Sequence, residues 1–76
     1  MKHARMRIEY SRHVRNRMRL RKISREQIEE VLSHPDHIFP DPDKPSRLIA
    51  QKRCSRRLIE VIHVKEQSKI VVITVI

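Results

Sequence analysis

Apolar and polar residues alternate from Arg5 to Tyr10, with Met6, Ile8 and Tyr10 on one side and Arg5, Arg7 and Glu9 on the other. A period of two predicts a half-buried strand. Ser11 is a residue type that caps helix N-termini, and past it the period lengthens. Val14 and Met18, four apart, share the apolar stripe of a helix beginning near Arg12, with Leu20 a weaker member. Ser24-Arg25-Glu26-Gln27 has the form of a capping box, flanked by Ile23 and Ile28 at the positions of a hydrophobic staple. Ile28, Val31 and Leu32 give the i, i+3, i+4 stripe of a second helix, which His34-Pro35 ends because the residue before proline disfavours helical geometry. The two helices, joined by a very short turn, make a helical hairpin.

Strands follow. His37 to Phe39 reads as a short edge strand, and residues 40–45 form a proline-rich turn. Arg47 to Arg53 and Arg57 to Lys65 are strand segments separated by a turn at Cys54 to Arg56, and Glu66 to Lys69 is a polar hairpin loop. Ile70 to Ile76 is β-branched almost throughout, the pattern of a strand buried on both sides or central in its sheet. The expected fold is α+β and two-layered, in the order β-α-α-β-β-β-β. A helical hairpin packs on one face of a mostly antiparallel sheet of four to five strands. At 76 residues the chain reads as a single domain over 1–76.

Composition changes the picture chiefly through charge and through what is missing. The formal net charge is +9, and ten of the 18 basic residues lie between Lys2 and Arg25. From Glu26 to Asp43 there is no Lys or Arg but six acids, and basic density returns from Lys44 to Arg57. This segregation implies two faces of opposite sign and an anionic partner for the positive one. Arginine dominates that face, and its planar fork suits phosphate and stacks on bases. The alternative is a solvated charged surface serving stability at high temperature.

With no glycine, phosphate-cradling glycine loops are excluded, and turns must use other residues. No apolar run reaches membrane-spanning length, and the N-terminal residues lack the apolar core of a secretory signal. Lone Cys54 fits a reducing compartment, so the cytoplasm is the expected location. No set of Cys, His and carboxylates completes a metal site, and neither metal nor cofactor is expected. Aromatic stacking platforms are nearly absent, with one Tyr and one Phe.

Stacked at helical spacing on one flank of the first helix are His13, Arg17 and Arg21, while Arg12, Arg15, Arg19 and Lys22 surround the rest. Neighbouring like charges on a short helix repel by a few tenths of a kcal/mol per pair, a cost that an anion would relieve. The order of elements, with Ser11, His13, Arg17, Met18, Arg21, Ile23 and Ser24 in the pattern Ser-x-His-x3-Arg-Met-x2-Arg-x-Ile-Ser, resembles a small branch of the RelE/ParE-like superfamily of bacterial and archaeal toxins. Ile28, Val31, Pro35 and the Ile73-Thr74-Val75 ending also fit, so the resemblance runs from about Arg7 onward.

The resemblance implies a sheet covered by two helices on one face and open on the other. Ribonuclease members place basic and histidine residues on the open face and cut RNA without a metal. It also implies an antitoxin that masks the same surface, and RNA, including ribosome-bound mRNA, as partner. The superfamily includes gyrase inhibitors and members with no shown catalysis.

Metal-free RNA cleavage needs a base for the 2′-hydroxyl, cations for the phosphorane and an acid for the leaving oxygen. Histidine suits the proton steps and arginine the charge. The expected catalytic set is His13, Arg17 and Arg21, with a helix-packing role for His13 as the equal alternative. Arg12, Arg15, Lys52, Arg53, Arg56 and Arg57 are the expected nucleic-acid-binding residues, the last four clamping phosphates around the Cys54 turn unless they are solvated turn charges. His63 reads first as an interior histidine and second as a site residue, since both sides of its strand are mostly apolar. The expected function is a toxin-like metal-independent endoribonuclease of the mRNA interferase type, within a toxin–antitoxin system. The alternative is a non-catalytic basic domain docking an antitoxin, RNA or gyrase.

Overall fold

In the computed structural model of the chain, which describes residues 7–76, the first strand runs Arg7–Tyr10 (β1). Arg5 and Met6 of the expected strand lie outside the described residues. Ser11 caps helix α1 (Arg12–Arg21), its side chain accepting from the Val14 backbone N–H at 3.2 Å. The helix stops at Lys22, which adopts the left-handed conformation (φ 56°) and donates its N–H back to Arg19. In a chain without glycine, lysine fills the position that glycine usually takes. Ile23 then sinks into the core, and Ser24 opens helix α2 (Arg25–Ser33) with a complete capping box to Gln27.

Four strands follow: β2 (His37–Pro40), β3 (Leu48–Cys54), β4 (Arg57–Lys65) and β5 (Lys69–Val75). The sheet order is β1-β5-β4-β3-β2. Every pairing is antiparallel except the first, in which β1 runs parallel to β5, Ile8 facing Ile70 and Tyr10 facing Val72. The α+β order and the helices on one face are those the sequence predicts. β5 is therefore an interior strand, as its β-branched run requires, but its two faces differ. Ile70, Val72 and Val75 are buried, whereas Val71, Ile73 and Thr74 are only half-buried. Opposite Ile62 and His63, β5 advances two residues from Thr74 to Val72, leaving Ile73 as the extra residue of a bulge.

Both helices cover one side of the sheet, α1 over β5 and β1, α2 over β3 and β4. Val14, Ile23, Ile28 and Val31 from the helical layer meet Ala50, Ile59, Val61, Val72 and Val75 from the sheet, forming one core. Leu20 stands outside it, 80% exposed. On the other side, pairing aligns Phe39, Ile49, Ile62 and Thr74 in a row across four strands. No helix of the described residues is long and apolar enough to cross a membrane.

Candidate nucleic-acid interface

Burial of Val14 and Met18 fixes which way α1 faces, and so which of its cations look outward. Arg12, His13, Arg15, Arg19, Arg21 and Lys22 are all exposed. Its first turn holds no acid, and Arg19 and Arg21 sit in its last turn, where the helix dipole favours positive charge. Arg19 donates to Asn16 at 3.0 Å. Among the described residues, no carboxylate lies within 4.0 Å of any cation on this face. The carboxylates that do pair are Glu9 with Arg7 and Lys69, Glu66 with Lys69, and Glu30 and Asp36 with Lys52.

Arg17 departs from the flank expected of it. Its stem turns toward the sheet end, one Nη donates to the Val75 carbonyl at 3.3 Å, and its Nε is buried without a partner. A long aliphatic stem over apolar surface with a polar tip at a carbonyl is the usual way arginine bridges two layers. His13 and Arg21 stay at the surface, so the expected catalytic trio does not converge on a hollow.

The Cys54 turn likewise divides its four cations. Strand alternation and the pairing of Lys52 with Ile59 put Lys52 on the helix side, where it meets Glu30 at 4.0 Å and Asp36 at 3.7 Å. Arg53 pairs with Leu58 and lies on the opposite side, exposed. Its backbone N–H donates to Asp36 at 2.9 Å. That bond first, and the Lys52 charge second, hold the Asp36 carboxyl below the usual carboxylate range. Arg56 is exposed in the turn. Arg57 reaches the end of α1 and donates to the carbonyls of Arg21 at 2.6 Å and Lys22 at 3.3 Å. The helix end and the hairpin tip therefore adjoin, bringing Arg21, Lys22, Arg56 and Arg57 into one basic neighbourhood, with Lys52 outside it.

His63 is 3% exposed and lies on the same side of β4 as the core residues Ile59 and Val61. Its Nδ1 is 3.1 Å from the Val61 carbonyl, and desolvation lowers its pKa from the usual 6.5. It is the interior histidine of the first reading. The open sheet face accordingly carries the apolar row together with His37 and Arg53, while the strand register sends His63 inward.

Two clefts lie beside β1. One, of about 480 Å³, is lined by Ile8, Leu32 and Ile70 together with Tyr10, Arg25 and Lys65, with Glu29 and Ser33 on its α2 wall. A second, of about 410 Å³, shares Ile8, Tyr10 and Arg25 and adds Ser11 and Arg15. The Arg25 guanidinium lies 5.2 Å from the Tyr10 ring centroid, a cation–π contact. Tyr10 and Arg25 escaped the sequence reading as site residues because neither stands out locally. Only the placement of α2 beside β1 unites them.

Among the described residues no group of three His, Cys, Asp or Glu side chains converges as metal ligands would. No curated protein and no solved structure matches the chain. A family profile does match, over residues 10–76, from the last residue of β1 through both helices and the four later strands. The chain thus belongs to the family described as a domain of unknown function, DUF4258.

Proposed function

We propose that this domain binds RNA through the outer face of α1 and the adjoining hairpin tip, as a non-catalytic basic module. The observation that supports it is the set of exposed cations Arg12, Arg15, Arg19, Arg21 and Lys22, none with a carboxylate partner among the described residues, while Glu9, Glu30, Asp36 and Glu66 pair with other cations. Arg56 extends the same surface, and Arg57 braces it from behind. With a single Tyr and a single Phe in the chain, base stacking contributes little, and phosphate contact carries the affinity. The resemblance to RelE/ParE-like toxins supports RNA as the polyanion and an acidic antitoxin as a competing protein partner, and the lone Cys54 supports the cytoplasm as the compartment.

Fluorescence anisotropy with a labelled RNA over a salt series tests the reading. Affinity should fall linearly on logarithmic axes, by roughly 0.7 to 0.9 of a slope unit per phosphate engaged. The double variant Arg12→Glu, Arg19→Glu should remove most of the binding with the fold intact. Binding indifferent to both salt and this charge reversal would refute the proposal.

A second reading, metal-independent endoribonuclease, has one observation in its favour: His13 is exposed, one turn from Arg17 on α1. RNA incubated with the protein in EDTA would then acquire 2′,3′-cyclic ends, and His13→Ala would stop the cutting. Intact RNA under conditions of saturated binding leaves the non-catalytic reading alone.

A further inference from the structure

The 480 Å³ cleft between β1 and α2 belongs to neither the basic helix face nor the hairpin tip. Its volume falls in the range of small-molecule sites, and its lining divides by chemistry. Ile8, Leu32 and Ile70 make an apolar floor, half-buried to buried and contributed by three different elements. Arg25 and Lys65 stand on the rim, both exposed and neither within 4.0 Å of a carboxylate among the described residues. The Tyr10 hydroxyl is buried in the wall with no hydrogen-bond partner.

That hydroxyl bears on the chemistry the cleft favours. Desolvation, and after it the nearby Glu29 carboxylate, raise the Tyr10 pKa, so the phenol stays protonated and is available as a donor. A buried donor without an acceptor costs stability and calls for an explanation. Arg25 lies over the ring and Lys65 lines the same cleft, so an anionic oxygen is a fitting acceptor. Glu29, one turn from Arg25 on the same helix, makes no hydrogen bond to the hydroxyl.

We propose that this cleft binds a small amphipathic carboxylate, its apolar body on Ile8, Leu32 and Ile70 and its carboxylate between Arg25 and Lys65. The lining carries two cations, Arg25 and Lys65, against one carboxylate, Glu29, a balance that favours an acid over an amine, and the floor selects a molecule with a hydrocarbon body over a bare anion. Entry beside Arg25, an exposed side chain lying over the ring, brings the carboxylate to the Tyr10 hydroxyl. The site is independent of RNA binding, since it uses neither Arg12, Arg19 nor the hairpin tip.

Titration of the nitrogen-15-labelled full chain with hexanoate, acetate and hexylamine tests this. Hexanoate should give saturable amide shifts centred on Ile8, Tyr10, Leu32 and Ile70, with affinity about tenfold or more above that for acetate or hexylamine. Arg25→Gln should lower hexanoate affinity by about tenfold. Lys65→Gln, at the exposed end of β4, gives the same reading should Arg25→Gln disturb the fold. Shifts that spread over α1 and the hairpin tip would reveal general attraction to a cationic surface and overturn the proposal. So would equal affinity for hexylamine, no saturation up to about 10 mM, roughly −2.7 kcal/mol on the affinity scale, or full binding by both variants.

Discussion

Arg57 holds the end of α1 through its guanidinium, which donates to the Arg21 carbonyl at 2.6 Å and the Lys22 carbonyl at 3.3 Å. The last carbonyls of a helix have no partner within it, and they carry the negative end of its dipole. A cation from the β3–β4 hairpin thus satisfies them and fastens the helical layer to the sheet. Arg57→Ala should destabilise by about 1–2 kcal/mol, with Arg57→Lys recovering part of the loss. Urea unfolding of the three proteins measures it, and no difference between Ala and wild type would show the contact to be energetically idle.

Lys22 and Ser55 have φ of 56° and 59°, the left-handed region in which a β-carbon is penalised. Lys22→Gly and Ser55→Gly should each stabilise the fold by about 0.5–1 kcal/mol, the steric relief exceeding glycine's greater freedom in the unfolded chain. Their combination should depart from additivity, since Arg57 ties the end of α1 to the β3–β4 turn. Chemical denaturation midpoints decide, and a lowered midpoint would count against the argument.

Acidification should weaken the protein through His63. Its pKa in the folded chain lies below the usual 6.5 because burial disfavours the imidazolium, an effect the Val61 carbonyl opposes and the Lys65 charge reinforces. Above pH 6.5 the ring is neutral in both states and contributes no pH dependence. Below it, the unfolded chain binds the proton first, and stability falls until the pH has dropped through the folded pKa. Thermal melts of wild type and His63→Leu between pH 7.5 and about pH 5 should diverge, the variant losing this component. Parallel curves would exclude His63 as its source.

Tyr10→Phe should leave the fold as stable as wild type or raise its stability by about 1 kcal/mol, because it removes a buried hydroxyl that has no partner. The ring keeps its contact with Arg25 in the variant. Loss of more than about 1 kcal/mol would mean that the hydroxyl is satisfied in solution.

Where a residue's role is decided by its neighbours in the chain, the sequence was legible. The capping box at Ser24–Gln27, the helix end before Pro35 and the edges of β4 follow from local patterns, and all are present. The two-layer architecture follows from the change of period after Ser11. What could not be read is set by register between distant segments. His63 sits in a strand apolar on both sides, and only its alignment with Leu48 and Val72 turns it inward. Lys52 and Arg53, adjacent in the chain, part to opposite sides of the sheet. Arg17 finds a carbonyl 58 residues away, which no helical wheel contains. The β1 cleft needs the meeting of Tyr10, Arg25 and Lys65 from three elements.

The parallel union of β1 with β5 has a consequence for biosynthesis. Among the described strands, β1 is made first and its neighbour β5 last, so the hydrogen bonds of β1 must wait until the intervening elements and the turn before β5 have been translated. A ribosome stalled before residue 69 would display Ile8 and Tyr10 with nothing to pair against, leaving an adhesive edge for chaperones to shield.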